Sequence, residues 1–118
     1  MLVVDDEASI RLLCRVNLEL DGFEVIEAET IPDARARIDA GGIDVALVDV
    51  HVGDQDGRKL VRELVARSER PRIALVTGSV QLAPDERAGA DEVIEKPFSL
   101  DLLVAAVRRL AGIDSAST

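Results

Sequence analysis

The feature that most constrains this chain is an alternation: short, β-rich apolar runs take turns with longer segments of helical period, five times over. A repeated strand-helix unit buries both faces of its strands by laying them parallel in one sheet, with helices packed on either side. Strands are expected at residues 2–4, 24–28, 45–49, 72–77 and 92–95, each bounded by Gly, Asp or Pro on at least one side. The third and fourth are almost wholly apolar, which places them centrally.

The first helix is expected over residues 7–20, with Asp6 as its N-cap, Leu13, Val16 and Leu20 facing inward, and Gly22 as its stop. Thr30 with Pro32 opens a second helix that ends at Gly41 and Gly42. A third covers residues 58–67 with Leu60, Val61 and Leu64 inward, and Ser99 caps a last helix over residues 100–110. Only 11 residues separate Thr77 from Gly89, and Pro84 is among them, so the fourth helix must be short or irregular. The expected architecture is α/β: a five-stranded parallel sheet of order 2-1-3-4-5, doubly wound.

At 118 residues the chain can bury one core without staples, and Val, Leu, Ile and Ala must fill it because Phe23 and Phe98 are the only aromatics. The lone Cys14 excludes an internal disulfide and a Cys-based zinc site. No apolar run approaches the roughly 18 residues of a membrane span, and with a single thiol this points to a cytoplasmic setting. Fourteen Lys and Arg against 23 Asp and Glu give a formal charge of −9. That charge repels phosphate backbones and anionic lipid, so neither nucleic acid nor a membrane is an expected partner. With no repeat, low-complexity tract or linker, residues 1–112 are expected to form one domain and 113–118 a C-terminal tail, with no output domain in this chain.

Asp5 and Asp6 end the first strand and Asp49 ends the third. In an open parallel sheet the functional crevice lies beyond the carboxyl ends of the strands, where strand order reverses. In the order 2-1-3-4-5, strands one and three flank that point, so their acids converge. Converging carboxylates repel one another unless a cation compensates, and an oxygen-only cluster suits Mg²⁺. Thr77 ends the fourth strand and Lys96 the fifth, adding a hydroxyl and an ammonium to the same rim. An aspartate attacking phosphorus needs its charge and that of the incoming group neutralised, as a metal and a lysine do. The rim therefore reads as a phosphoryl site, with an aspartyl phosphate forming on Asp49. Taken singly, each residue has a plainer reading: Asp5 and Asp6 as helix caps, Lys96 as a solvated loop lysine, Thr77 as a strand-end β-former.

Val3-Val4-Asp5-Asp6-Glu7, Val48-Asp49-Val50, Asp56-Gly57, Val76-Thr77-Gly78, Gly89-Ala90-Asp91 and Lys96-Pro97-Phe98, in this order, resemble the response-regulator receiver family along essentially the whole chain. The resemblance implies a flavodoxin-like (βα)5 fold in which Asp49 is phosphorylated by a histidine kinase or histidine phosphotransfer protein in two-component signalling. It implies Mg²⁺ held by Asp6, Asp49 and the backbone carbonyl of His51, with Asp5 supporting through water. It also implies that Thr77 bonds a phosphoryl oxygen, that Lys96 pairs with it, and that Lys96-Pro97 is cis. The His51 imidazole itself reads as an exposed loop side chain, and Asp54 and Asp56 as loop acids beside a Gly57 turn.

Three positions depart from the family pattern. Val93 stands where the family usually has Tyr or Phe, the segment between Thr77 and Gly89 is about three residues short, and Gly53 replaces a common proline, which should loosen the following loop. An altered fourth-helix face leaves a monomer or weak dimer as the expected state, with an unknown downstream protein as partner. Ile10 and Cys14, one helical turn apart, suggest a patch for the phosphodonor, unless both are core. The competing classes are a receiver-like interaction module that works without phosphorylation, and an aspartyl-phosphate phosphohydrolase. The latter requires an acid where this chain has His51, so the chain is not expected to be an enzyme.

Overall fold

The computed structural model describes residues 1–78 and 87–112. Its elements run β1 (Leu2–Val4), α1 (Ala8–Leu20), β2 (Ile26–Ala28), α2 (Ile31–Asp39), β3 (Val45–Asp49), β4 (His51–Val52), β5 (Gln55–Asp56), α3 (Gly57–Val65), β6 (Arg72–Thr77), β7 (Glu92–Glu95) and α4 (Leu100–Leu110). The five long strands pair in parallel in the order β2-β1-β3-β6-β7, the sheet order expected, with β3 at the centre. The expected fourth helix and Pro84 lie outside the described residues, as does the tail 113–118.

Side chains alternate across each strand, and the core divides accordingly. Leu2, Val4, Ala46, Val48, Ile73 and Leu75 face one layer, packed on α2 and α3 through Ile31, Ala34, Leu60 and Leu64. Val3, Val45, Leu47, Ala74, Val76 and Ile94 face the other, packed on α1 and α4 through Cys14, Leu18, Leu103 and Val107. Thr30 caps α2 by accepting the Asp33 amide at 3.1 Å, and Ser99 caps α4 by accepting the Leu102 amide at 3.1 Å. Gly41 and Gly42 follow α2 with positive φ, a conformation that favours glycine.

Helix α1 departs from the sequence reading in two ways. Its N-cap position is Glu7, not Asp6, and no side chain caps it; the Glu7 amide is instead met by Asp5 Oδ1 at 2.9 Å. Its buried side carries Cys14 and Leu18, while Leu13, Val16 and Leu20 are exposed, Leu20 by 81%. Both stripes have helical spacing, and the sheet selects the one that includes Ile10, Cys14 and Leu18. The patch of Ile10 and Cys14 is therefore part of the core: Cys14 is buried, and Ile10 is half-buried against the same cluster. Burial, followed by the charge of Asp5, pushes the Cys14 thiol up to about 11 and so keeps it neutral.

The segment after β3 is a hairpin rather than an irregular loop, with His51 opposite Asp56 and Val52 opposite Gln55. Gly53 turns it at a φ of 65°. Asp56 serves as the cap of α3, accepting the Arg58 amide at 2.9 Å, and Gly57 is the first residue of that helix rather than a turn former.

Candidate functional site

Alternation and register together build the acidic rim. Asp5 continues the face of Val3, and Asp49 continues the face of Val45 and Leu47. Val3 pairs with Leu47 and Val4 with Val48, so the next step in register sets Asp5 beside Asp49 on the α1/α4 side of the sheet. Both are buried, at 2% and 7% exposure. Between them reaches Lys96, whose Nζ lies 2.5 Å from Asp49 Oδ2 and 3.5 Å from Asp5 Oδ2. Lys96 is placed by β7: its amide donates to the Thr77 carbonyl at 2.7 Å, one step past the pairing of Thr77 with Glu95. The Lys96-Pro97 peptide is cis.

Of the other expected site residues, Thr77 and His51 meet this trio through main-chain groups. Thr77 is buried at the end of β6. The His51 amide donates to Asp49 Oδ1 at 3.2 Å, fixing the second carboxylate oxygen, while its side chain is exposed. Asp6 lies exposed on the β1–α1 connection. Among the described residues no three His, Cys, Asp or Glu side chains form a ready-made metal cage. Two adjacent carboxylates suit Mg²⁺, which typically binds through one or two carboxylates and keeps several waters.

The electrostatics carry the same sense. Below the acids lies an apolar recess lined by Val3, Ile10, Cys14, Leu47, Phe98 and Leu103. Burial raises the Asp5 carboxyl to about 6; the Glu7 amide opposes this, and neighbouring Asp49 adds to the rise. Burial also works against the Lys96 ammonium, but its hydrogen bond to Asp49 and the charges of Asp49 and Asp5 outweigh that and raise its pKa above the ordinary value. A second cation would relieve the strain at Asp5, so the donor set fits a divalent metal.

A raised carboxyl pKa means that stability is fully present below the unfolded value near 3.8 and is lost as pH climbs through about 6. The metal-free protein should therefore lose on the order of 2 kcal/mol between pH 4 and 7 from this group. Asp56, Asp91 and Glu63 are lowered by their arginine partners and act in the opposite sense, at pH below about 4. Urea unfolding followed by far-ultraviolet circular dichroism should show the decline in wild type and its disappearance in Asp5→Asn. An unchanged slope in that variant would assign the decline elsewhere.

Sequence reasoning missed Arg11 and Glu27. Arg11 Nη1 donates to the Asp5 carbonyl at 2.7 Å, and its Nε donates to Glu27 Oε1 at 3.1 Å. Arg11 is three residues from Cys14 and so neighbours the buried stripe of α1, a placement that the structure supplies.

A doubly wound parallel sheet with carboxylates and a lysine gathered at its switch point defines a CheY-like α/β domain. The chain belongs to the response regulator receiver domain family, whose sequence model matches residues 1–108, and is thus a signalling domain of two-component systems. It is 35% identical to the KDP operon transcriptional regulatory protein KdpE of Escherichia coli, over 100% of this chain and 53% of that protein. The chain spans about half the length of that relative. A Burkholderia pseudomallei response regulator, solved with a phosphorylated aspartic acid, calcium ion and citrate, superposes with a TM-score of 0.81. The match has 28% identity and covers 98% of this chain and 70% of that one. TrrA of Thermotoga maritima, solved with Mg²⁺ and BeF, superposes at 0.82 with 29% identity, covering 92% of this chain and 96% of that one. No helix among the described residues is long and apolar enough to cross a membrane.

Proposed function

We propose that this chain accepts a phosphoryl group on Asp49 from a histidine kinase or histidine phosphotransfer protein, in a Mg²⁺-dependent step in the cytoplasm. The observation that carries the reading is the pairing of Asp49 and Asp5 under a single ammonium, with Lys96 Nζ 2.5 Å from Asp49 Oδ2, at the switch point of the sheet. In the transfer, a carboxylate oxygen of Asp49 bonds to phosphorus as the donor's P–N bond breaks, and the bonding pair leaves with the imidazole nitrogen. Lys96 turns from Asp49 to the arriving phosphoryl oxygens, and the Thr77 hydroxyl donates to another of them. Asp5, Asp6, Asp49 and the His51 carbonyl would hold the metal. Mg²⁺, when bound, offsets the charge that builds on the transferring group.

The reading is tested with acetyl phosphate and Mg²⁺, scored by intact mass. One phosphoryl group should be gained by wild type and none by Asp49→Ala. No gain in wild type would sink it and leave a phosphorylation-independent interaction module, and a gain that survives Asp49→Ala would sink the assignment of the acceptor to Asp49.

A further inference from the structure

We propose that Arg11 is a positioning residue for the acidic site, a latch that holds the main chain of Asp5 against β2 so that the two carboxylates stay in register for a cation. This rests on the phosphoacceptor reading of Asp49 for its purpose, although the latch itself is a matter of geometry. The peptide groups of Asp5 are gripped on both sides. Its amide donates to the Ala28 carbonyl of β2 at 3.2 Å, and its carbonyl accepts Arg11 Nη1 at 2.7 Å. The other side of the guanidinium is tied to β2 as well, through Nε to Glu27 Oε1 at 3.1 Å. Glu27 pairs with Val3 in the sheet, two residues before Asp5. One side chain thus joins the start of α1, the end of β1 and the neighbouring strand.

The chemistry of the side chain matters here. Two donors pointing in different directions from a rigid plane can meet a carbonyl and a carboxylate together, whereas an ammonium is a point charge on a flexible stem. Arg15 supplies an internal comparison. It bonds the other oxygen of the same Glu27 at 3.1 Å but does not touch Asp5, and its side chain is 45% exposed against 13% for Arg11. An exposed ion pair of that kind contributes little. The Arg11 bond to Asp5 lies beside a carboxylate whose burial already disfavours its charge, so slack in the connection would let Asp5 turn outward to water.

The test compares wild type with Arg11→Gln, Arg11→Lys and Arg15→Gln, without metal by amide hydrogen exchange and then by calorimetric titration with Mg²⁺. A latch predicts that Arg11→Gln speeds exchange at Asp5 and Glu7 by about tenfold or more while Leu47 and Val48 in β3 keep their protection, because the opening is local. It also predicts Mg²⁺ binding weakened by about tenfold, the scale seen when a group orienting a metal ligand is removed. Arg11→Lys should recover only part of either loss, and Arg15→Gln should match wild type. A residue serving stability alone would lower all the amides together and leave the Mg²⁺ affinity of the folded protein untouched. Arg11→Gln that opens Asp5 and Glu7 no more than Val48, or that binds Mg²⁺ within about twofold of wild type, overturns the proposal. Should wild type itself bind no Mg²⁺, the phosphoacceptor reading is what fails, and the exchange pattern alone decides the latch.

Discussion

Gly57→Ala is expected to lower the unfolding free energy by about 3 kcal/mol, the upper end of ordinary overpacking, and to slow phosphorylation of the surviving folded protein at least tenfold. Gly57 opens α3 directly against the proposed acceptor: its amide donates to the Val50 carbonyl at 2.7 Å. A Cβ at this position would collide with the carbonyl oxygen of Asp49, and would also lie 3.1 Å from the Asp49 carbonyl carbon and from Val48 Cγ1. The first obstacle is backbone, so no rotamer change relieves it. Either α3 retreats from the sheet or the end of β3 moves, and the second displaces the Asp49 carboxylate from Lys96. Gly53 provides the contrast, since a Cβ there meets nothing within 4 Å and only its φ of 65° is unfavourable. Gly53→Ala should cost about 1 kcal/mol and leave the phosphorylation rate unchanged. Urea unfolding together with the rate of acetyl phosphate labelling separates the two variants. Gly57→Ala as stable and as quickly labelled as wild type would contradict the close approach.

The same glycine indicates where the sequence was informative and where it was not. Asp56-Gly57 was visible as a fragment of a pattern, but its physical reason was hidden, because a turn glycine and a close-approach glycine look alike until the helix that begins there is placed on the strand before it. The sheet was legible since each strand is a short apolar run, and two-residue alternation then carried Asp5 and Asp49 to one face once the order was assumed. Which face of α1 is buried was not legible. Leu13, Val16 and Leu20 repeat with helical spacing, but so do Ile10, Cys14 and Leu18, and only the direction in which the chain leaves β1 decides between them. Period measures amphipathicity, not orientation. The exposed stripe on α1 is thus a finding of the structure that hydrophobic patterning inverted. Arg11 and Glu27 escaped for a related reason: their partnership spans 16 positions and depends on the packing of α1 over β2.

Lys96→Met is the second large effect, and its size depends on pH and on metal. In the folded protein Lys96 is the ammonium bridging Asp49 and Asp5, at 2.5 and 3.5 Å. Removing one partner of a buried ion pair leaves uncompensated charge and typically costs about 3–5 kcal/mol. At pH 8 without metal, both acids of the variant stand side by side above an apolar recess, and a loss of about 3 kcal/mol is expected. At pH 5 the loss should be smaller, because Asp5, already raised to about 6 in wild type, takes up a proton and ends the repulsion. Mg²⁺ should rescue the variant more than it stabilises wild type, since ammonium and metal compensate the same two carboxylates and each weakens the need for the other. By linkage, the variant should bind Mg²⁺ about tenfold more tightly than wild type, even though it can no longer pair with an arriving phosphoryl group. Stability and acceptor chemistry therefore separate at this one residue. Urea unfolding at pH 5 and pH 8, with and without Mg²⁺, reads the first, and acetyl phosphate labelling reads the second. A variant whose loss is the same at both pH values and is untouched by Mg²⁺ would mean that Lys96 is not what balances Asp5 and Asp49.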